Sequence, residues 1–217
     1  AFTEGLLPGL PRSASFVMLS NSVVDFVSDL PVMVLHTLGN GTPSDARQTM
    51  THISIHEPVN VRASMTNPPS LVSRGALKVR GSSTGGLPNA SWAMEFWDEF
   101  DQGKDVSPLG MPADPDWVLY APNEYDPVMI HNPFLHRLSR ETGMYSSRTR
   151  FIEVYFSRNT GGIASNHYNG IYVLEEKIKI AKDRVNIDKL EPEHVNAPEV
   201  TGGFLLKVDR LDPGDSG

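Results

Sequence analysis

The chain has 217 residues and a mass of 23.9 kDa, with 39% hydrophobic and 21% charged residues, a net charge of −7 and no cysteine. That length and composition suit one folded core, or one domain with a small annex, and the acidic balance argues against nucleic acid, whose phosphates need concentrated Lys and Arg. Disulfides and thiolate zinc sites are excluded, and no run of 18 apolar residues offers a transmembrane segment.

Residues 1–29 read as an N-terminal strap or linker, opening with Ala1-Phe-Thr-Glu-Gly-Leu-Leu-Pro-Gly-Leu-Pro-Arg12. Ala1 is either the first residue after signal cleavage or a boundary of the sequence. Residues 30–217 form the main unit. Leu30-Pro-Val-Met-Val-Leu35 reads as a compact apolar strand, followed by the turn Gly39-Asn-Gly41. In Thr51-His-Ile-Ser-Ile-His56, Ile53 and Ile55 point inward and leave His52, Ser54 and His56 on a polar face. That histidine spacing is ligand-like, but no third ligand is placed by sequence, so no metal site is assigned.

The most informative stretch follows. Ala76-Leu-Lys-Val-Arg-Gly-Ser-Ser-Thr84 and Trp92-Ala-Met-Glu-Phe-Trp-Asp-Glu99 read as two strands around a glycine- and serine-rich turn. Leu77 and Val79 alternate with Lys78 and Arg80. The backbone N–H groups of Gly81-Ser-Ser-Thr-Gly-Gly86 suit close approach to an anion, with Arg80 beside them, although most such turns are plain hairpins. Trp92, Trp97 and Trp117 read as core or core-edge residues.

Residues 101–115 form a polar loop, and Trp117-Val-Leu-Tyr120 is a short strand. The period then changes to helical over about 132–142. Asn132 is read as N-cap, Pro133 as first helical residue, Phe134, Leu135 and Leu138 as the buried stripe, and Gly143 as the stop. Strands are expected at 150–156, 170–174 and 203–208, and the charged run from Glu175 to Arg184 as a solvated strand end and loop. His131 and His136 read as surface imidazoles. No Walker A, Gly-x-Ser-x-Gly, His-Glu-x-x-His or EF-hand pattern occurs. The fold class expected is α+β, a mainly antiparallel sheet with one principal helix.

In order, these pieces resemble one family, the CotH (spore coat protein H) kinase-like proteins, an atypical and secreted protein-kinase group. The resemblance runs from about Leu30 to Asp209. It rests on Lys78-Val-Arg-Gly-Ser-Ser83, Ser91-Trp-Ala-Met-Glu-Phe-Trp-Asp-Glu99, Leu109-Gly-Met-Pro112 and Asp116-Trp-Val-Leu119. Further along are Tyr125-Asp-Pro-Val-Met-Ile-His-Asn132, Arg150-Phe-Ile-Glu-Val-Tyr155, Asn169-Gly-Ile-Tyr-Val-Leu-Glu-Glu-Lys177, Arg184-Val-Asn-Ile187 and Thr201-Gly-Gly-Phe-Leu-Leu-Lys207.

The resemblance implies the N-lobe of an atypical kinase, ATP and Mg2+ as cofactors, Ser/Thr phosphorylation of a protein substrate, and a bacterial secreted or cell-surface setting. It implies nucleotide contacts from Arg80, Gly81, Ser82, Ser83, Asn132 and Glu176, and strand alternation offers Lys78 as a further candidate. For Lys78 the plainer reading is a solvent-facing strand lysine. Arg80 serves a phosphate or a structural ion pair to Glu95 or Glu176.

Departures from the family pattern weigh the other way. Pro88-Asn89-Ala90 stands where the family has one or two lysines, and His131 where it has an arginine. The family's catalytic aspartates belong to a C-lobe beyond Lys207, where this sequence offers only Asp209, Asp212 and Asp215 in turn-forming contexts. No catalytic residue is therefore assigned, and the fragment alone is expected to be inactive. Two readings stay open: the N-terminal portion of an exported kinase, or a degenerate, non-catalytic module binding a neighbouring subunit in a surface assembly. An N-lobe by itself would also present open sheet edges and apolar surface to a missing C-lobe or second chain.

Overall fold

The computed structural model describes residues 14–81, 84–122, 126–201 and 203–206. In chain order the strands are β1 (Val27–Ser28), β2 (Val32–His36), β3 (Thr49–His56), β4 (Ala63–Ser64), β5 (Leu71–Arg80), β6 (Ser91–Trp97) and β7 (Asp116–Tyr120). The helix α1 (His131–Glu141) then precedes β8 (Thr149–Ser157) and β9 (Tyr168–Glu176). Seven strands close a barrel in the order β2-β3-β5-β6-β7-β9-β8, while β1 and β4 form a separate two-stranded ribbon. Every barrel pairing is antiparallel except the last, where β2 runs parallel to β8 with Val32 opposite Glu153.

Strict alternation fills the barrel. Met33, Leu35, Ile53, Ile55, Leu77, Met94, Phe96, Trp117, Leu119, Ile152, Val154 and Leu174 are buried in one cluster. Trp92 stacks on Tyr172 with ring centroids 5.1 Å apart and meets Phe156 edge-on at 5.0 Å. Gly75 lets β5 approach β6, because a Cβ there would sit 2.3 Å from the Glu95 carbonyl oxygen. A second cluster lies outside the wall. Val32, Val34 and Tyr155 face outward and are covered by Val23, Ala63, Met65 and Ile163. Residues 14–29 thus lie on the barrel itself, with Ser20 N–H donating to the Ile163 carbonyl at 2.8 Å and Ser28 Oγ donating to Glu153 at 2.7 Å.

This architecture corrects the α+β expectation of a kinase N-lobe: the described chain is mainly β, a closed barrel with one α-helix. The β2–β8 pairing joins segments well over a hundred residues apart, and no local pattern announces such a closure. It also removes the open edges expected of the main sheet. Residues 203–206 form no strand, and the rest of the expected strand at 203–208 lies outside the described residues.

The helix differs from expectation too. It begins at His131, one residue before Asn132, and the Asp126 side chain accepts the His131 N–H at 2.9 Å. None of its residues is buried: Phe134, Leu135 and Leu138 are all exposed. Amphipathic spacing specified which side chains share a face but not that anything covers them. His52 and His56, placed by alternation on a polar face, are buried, with His52 Nδ1 2.6 Å from Ser15 Oγ. Most of the charged run after Glu175 is solvated, but Glu176 and Arg184 are fully buried.

Candidate functional site

Because Leu77 and Val79 turn inward, Lys78 and Arg80 stand on the outer face of β5, both exposed. Lys78 makes no hydrogen bond or ion pair among the described residues. Arg80 ends the strand at Gly81, whose φ of +87° is left-handed and whose added Cβ would meet Thr84 Oγ1 at 2.2 Å. A side chain at this position would be strained and would have to displace the Thr84 hydroxyl. Ser82 and Ser83 lie outside the described residues.

Across the sheet, Lys78 is opposite Ala93, Ala93 opposite Val118, and Val118 opposite Glu175. Val118, between Ala93 and Glu175, is buried, so the outer face is covered toward β9, and the charge of Arg80 acts on the Glu175 carboxyl. Burial nevertheless dominates there and pushes the Glu175 pKa up to about 7, with Arg80 partly opposing it. His136 on α1 holds its Nε2 3.8 Å from Glu175 Oε2 and its Nδ1 2.7 Å from Ser146 Oγ. Burial also raises the Tyr120 phenol, helped by the nearby charges of Asp126 and Glu175. Asp126 is buried at the start of α1, with its Oδ1 3.1 Å from His131 Nδ1. Asn132 is half-buried in the first turn of the helix.

Lys78, Arg80 and Gly81 are therefore brought to one rim of the outer face, with Glu175, Tyr120, Asp126 and His136 farther across it. Glu176 is not among them. One residue on, its side chain turns inward at the barrel end, where it accepts from Arg148 Nη1 and Arg184 Nη1, each at 2.7 Å, and from the Arg148 backbone N–H at 2.9 Å. Arg184 lies over the Trp117 ring at 5.0 Å. Ala90 packs against the core, and its carbonyl accepts the Tyr172 hydroxyl at 3.3 Å.

A family model described as CotH kinase protein matches residues 77–214, more than half of the chain. The chain belongs to the CotH kinase protein family. No curated protein matches it. The match opens at Leu77, so the CotH family region takes in the end of β5, the glycine turn, β6 to β9 and α1, while β2 and β3 lie before it.

The side chains fit the two implied cofactors unequally. The glycine-closed turn with two cations on its outer side suits phosphate oxygens. No group of three His, Asp or Glu side chains with metal-holding geometry occurs among the described residues, so no step is assigned to magnesium. Sequence reading missed Glu175, Tyr120 and Asp126. The signal was available for Glu175: of two adjacent carboxylates on a strand, one must face each side.

Proposed function

We propose that this chain is the N-terminal, nucleotide-facing portion of an exported bacterial CotH-type kinase that uses ATP to phosphorylate Ser or Thr of a protein substrate. One observation carries the reading: Lys78 and Arg80 stand together, both exposed, on the outer face of β5 beside a glycine in the left-handed conformation. ATP would supply the activated phosphoryl group. Arg80 presents a planar fork to phosphate oxygens, Lys78 adds a second positive charge, and Gly81 lets the backbone approach closely. Charge neutralisation and positioning are what phosphoryl transfer most requires of a protein.

A second reading, a non-catalytic module that binds a neighbouring subunit, is favoured by the commitment of both Glu176 oxygens to Arg148 and Arg184. With Ala90 in place of a lysine, the family's ion-pairing partners for phosphate are absent from those positions. Calorimetric titration with Mg-ATP separates the readings. The kinase reading expects saturable binding that weakens about 10- to 100-fold in Arg80→Ala, the loss of a charge-assisted contact, and less in Lys78→Ala. No ATP binding, or equal binding by wild type and Arg80→Ala, overturns it in favour of the module.

A further inference from the structure

A groove of about 640 Å³ runs between α1 and the start of β8. Phe134 and Phe151 line it, and Arg137, Arg140 and Arg150 stand around it with Glu141 as the only carboxylate among the lining residues. Such clustering of arginine goes against the trend of a chain that carries a net charge of −7. Two of the guanidinium groups are pinned by backbone oxygens: Arg140 Nη1 donates to the Ser147 carbonyl, and Arg150 Nη1 donates to the Thr149 carbonyl at 2.9 Å. Arg137 Nε donates to Glu141 at 2.9 Å. Each bond uses one nitrogen of its guanidinium, so every arginine keeps further donors. Phe134, which a globular helix would ordinarily bury, is 59% exposed beside them.

The geometry points to a docking groove for a partner-protein segment in which acidic side chains flank an aromatic or large aliphatic one. The apolar residue would cover Phe134 and Phe151, and its acidic neighbours would meet the three arginines. Exposed phenylalanine beside arginine also suits an anionic membrane, but a lipid surface is met by a convex face. Here the cations line an open groove and two are held in place by the backbone, the arrangement that rewards a directional ligand. The inference is independent of nucleotide binding, since the groove shares no residue with the Lys78–Arg80 rim.

A positional-scanning hexapeptide array probed with the purified protein tests it. The expected result is enrichment of Asp and Glu on either side of an aromatic position. A fluorescein-labelled peptide of the selected pattern should bind at least tenfold more weakly to the double variant Arg137→Glu, Arg150→Glu. Phe134→Ala should weaken it through the apolar contact alone. Arg137 and Arg150 are exposed, so the variants should melt like the wild type; Arg150→Gln repeats the test with a smaller charge change. Absence of acidic enrichment, or binding unchanged in the variants, overturns the proposal. So does binding of the wild type to phosphatidylserine vesicles, lost in the same variants, without selection among peptides.

Discussion

Glu176→Gln tests the barrel-end charge cluster. The wild-type carboxylate is fully buried and shares one oxygen between Arg148 and Arg184, while the other accepts the Arg148 N–H. Arg184 is equally buried, and its Nε and Nη2 make no hydrogen bond among the described residues. Glutamine keeps the shape and one acceptor but removes the only negative charge in contact with Arg184 among the described residues. An uncompensated buried cation costs about 3–5 kcal/mol. For a chain of this length, each kcal/mol lowers Tm by about 2–4 °C, so a fall of about 6–20 °C is expected. Arg148 is 38% exposed and can turn to water, so its own truncation should cost about 1 kcal/mol. Adding Arg184→Met to Glu176→Gln should recover part of the loss, because the orphaned charge leaves with it. Urea unfolding with a double-mutant cycle measures all of these terms. A cost below about 1 kcal/mol for Glu176→Gln, or no recovery with Arg184→Met, refutes the view that this pair governs the barrel end.

Two further predictions follow from packing and charge. Gly75→Ala puts a methyl group 2.3 Å from the Glu95 carbonyl oxygen, where only backbone can move, and should cost about 2–3 kcal/mol in chemical unfolding. Stability against pH should show two opposed slopes. The raised pKa of Glu175 means that the folded state binds the extra proton, so its contribution is full below about 4.5 and is lost as pH rises to about 7. Burial, with the charges of His36 and His56, lowers the His52 pKa from 6.5 to about 4, so its contribution is full above 6.5 and is lost as pH falls toward 4. Glu175→Gln should make stability rise more steeply with pH between 4.5 and 7. His52→Gln should make it fall instead, and parallel curves for both variants and wild type would remove both groups from the account.

The inward residues of the barrel were legible because strand side chains alternate with a period of two, which put Leu77, Met94, Phe96, Ile53 and Ile55 in the core without any knowledge of their partners. The glycine turn, the outward Lys78 and Arg80, the helix and the family likewise follow from local spacing and motif order. Burial by distant chain does not. The polar-looking His52 is buried and hydrogen-bonded to Ser15, and the apolar Phe134 and Leu135 are covered by nothing described, because a pattern fixes direction and tertiary packing fixes what lies in that direction. The same limit hid the division between Glu175, on the outer face of the barrel, and Glu176, locked to Arg184. Sequence by itself determined most of the barrel strands, the inner faces of β3, β5 and β6, and the kinship; only the tertiary structure decided that β2 meets β8 in parallel to close a barrel. That pairing joins segments over a hundred residues apart, and its backbone hydrogen bonds are written in no local sequence pattern.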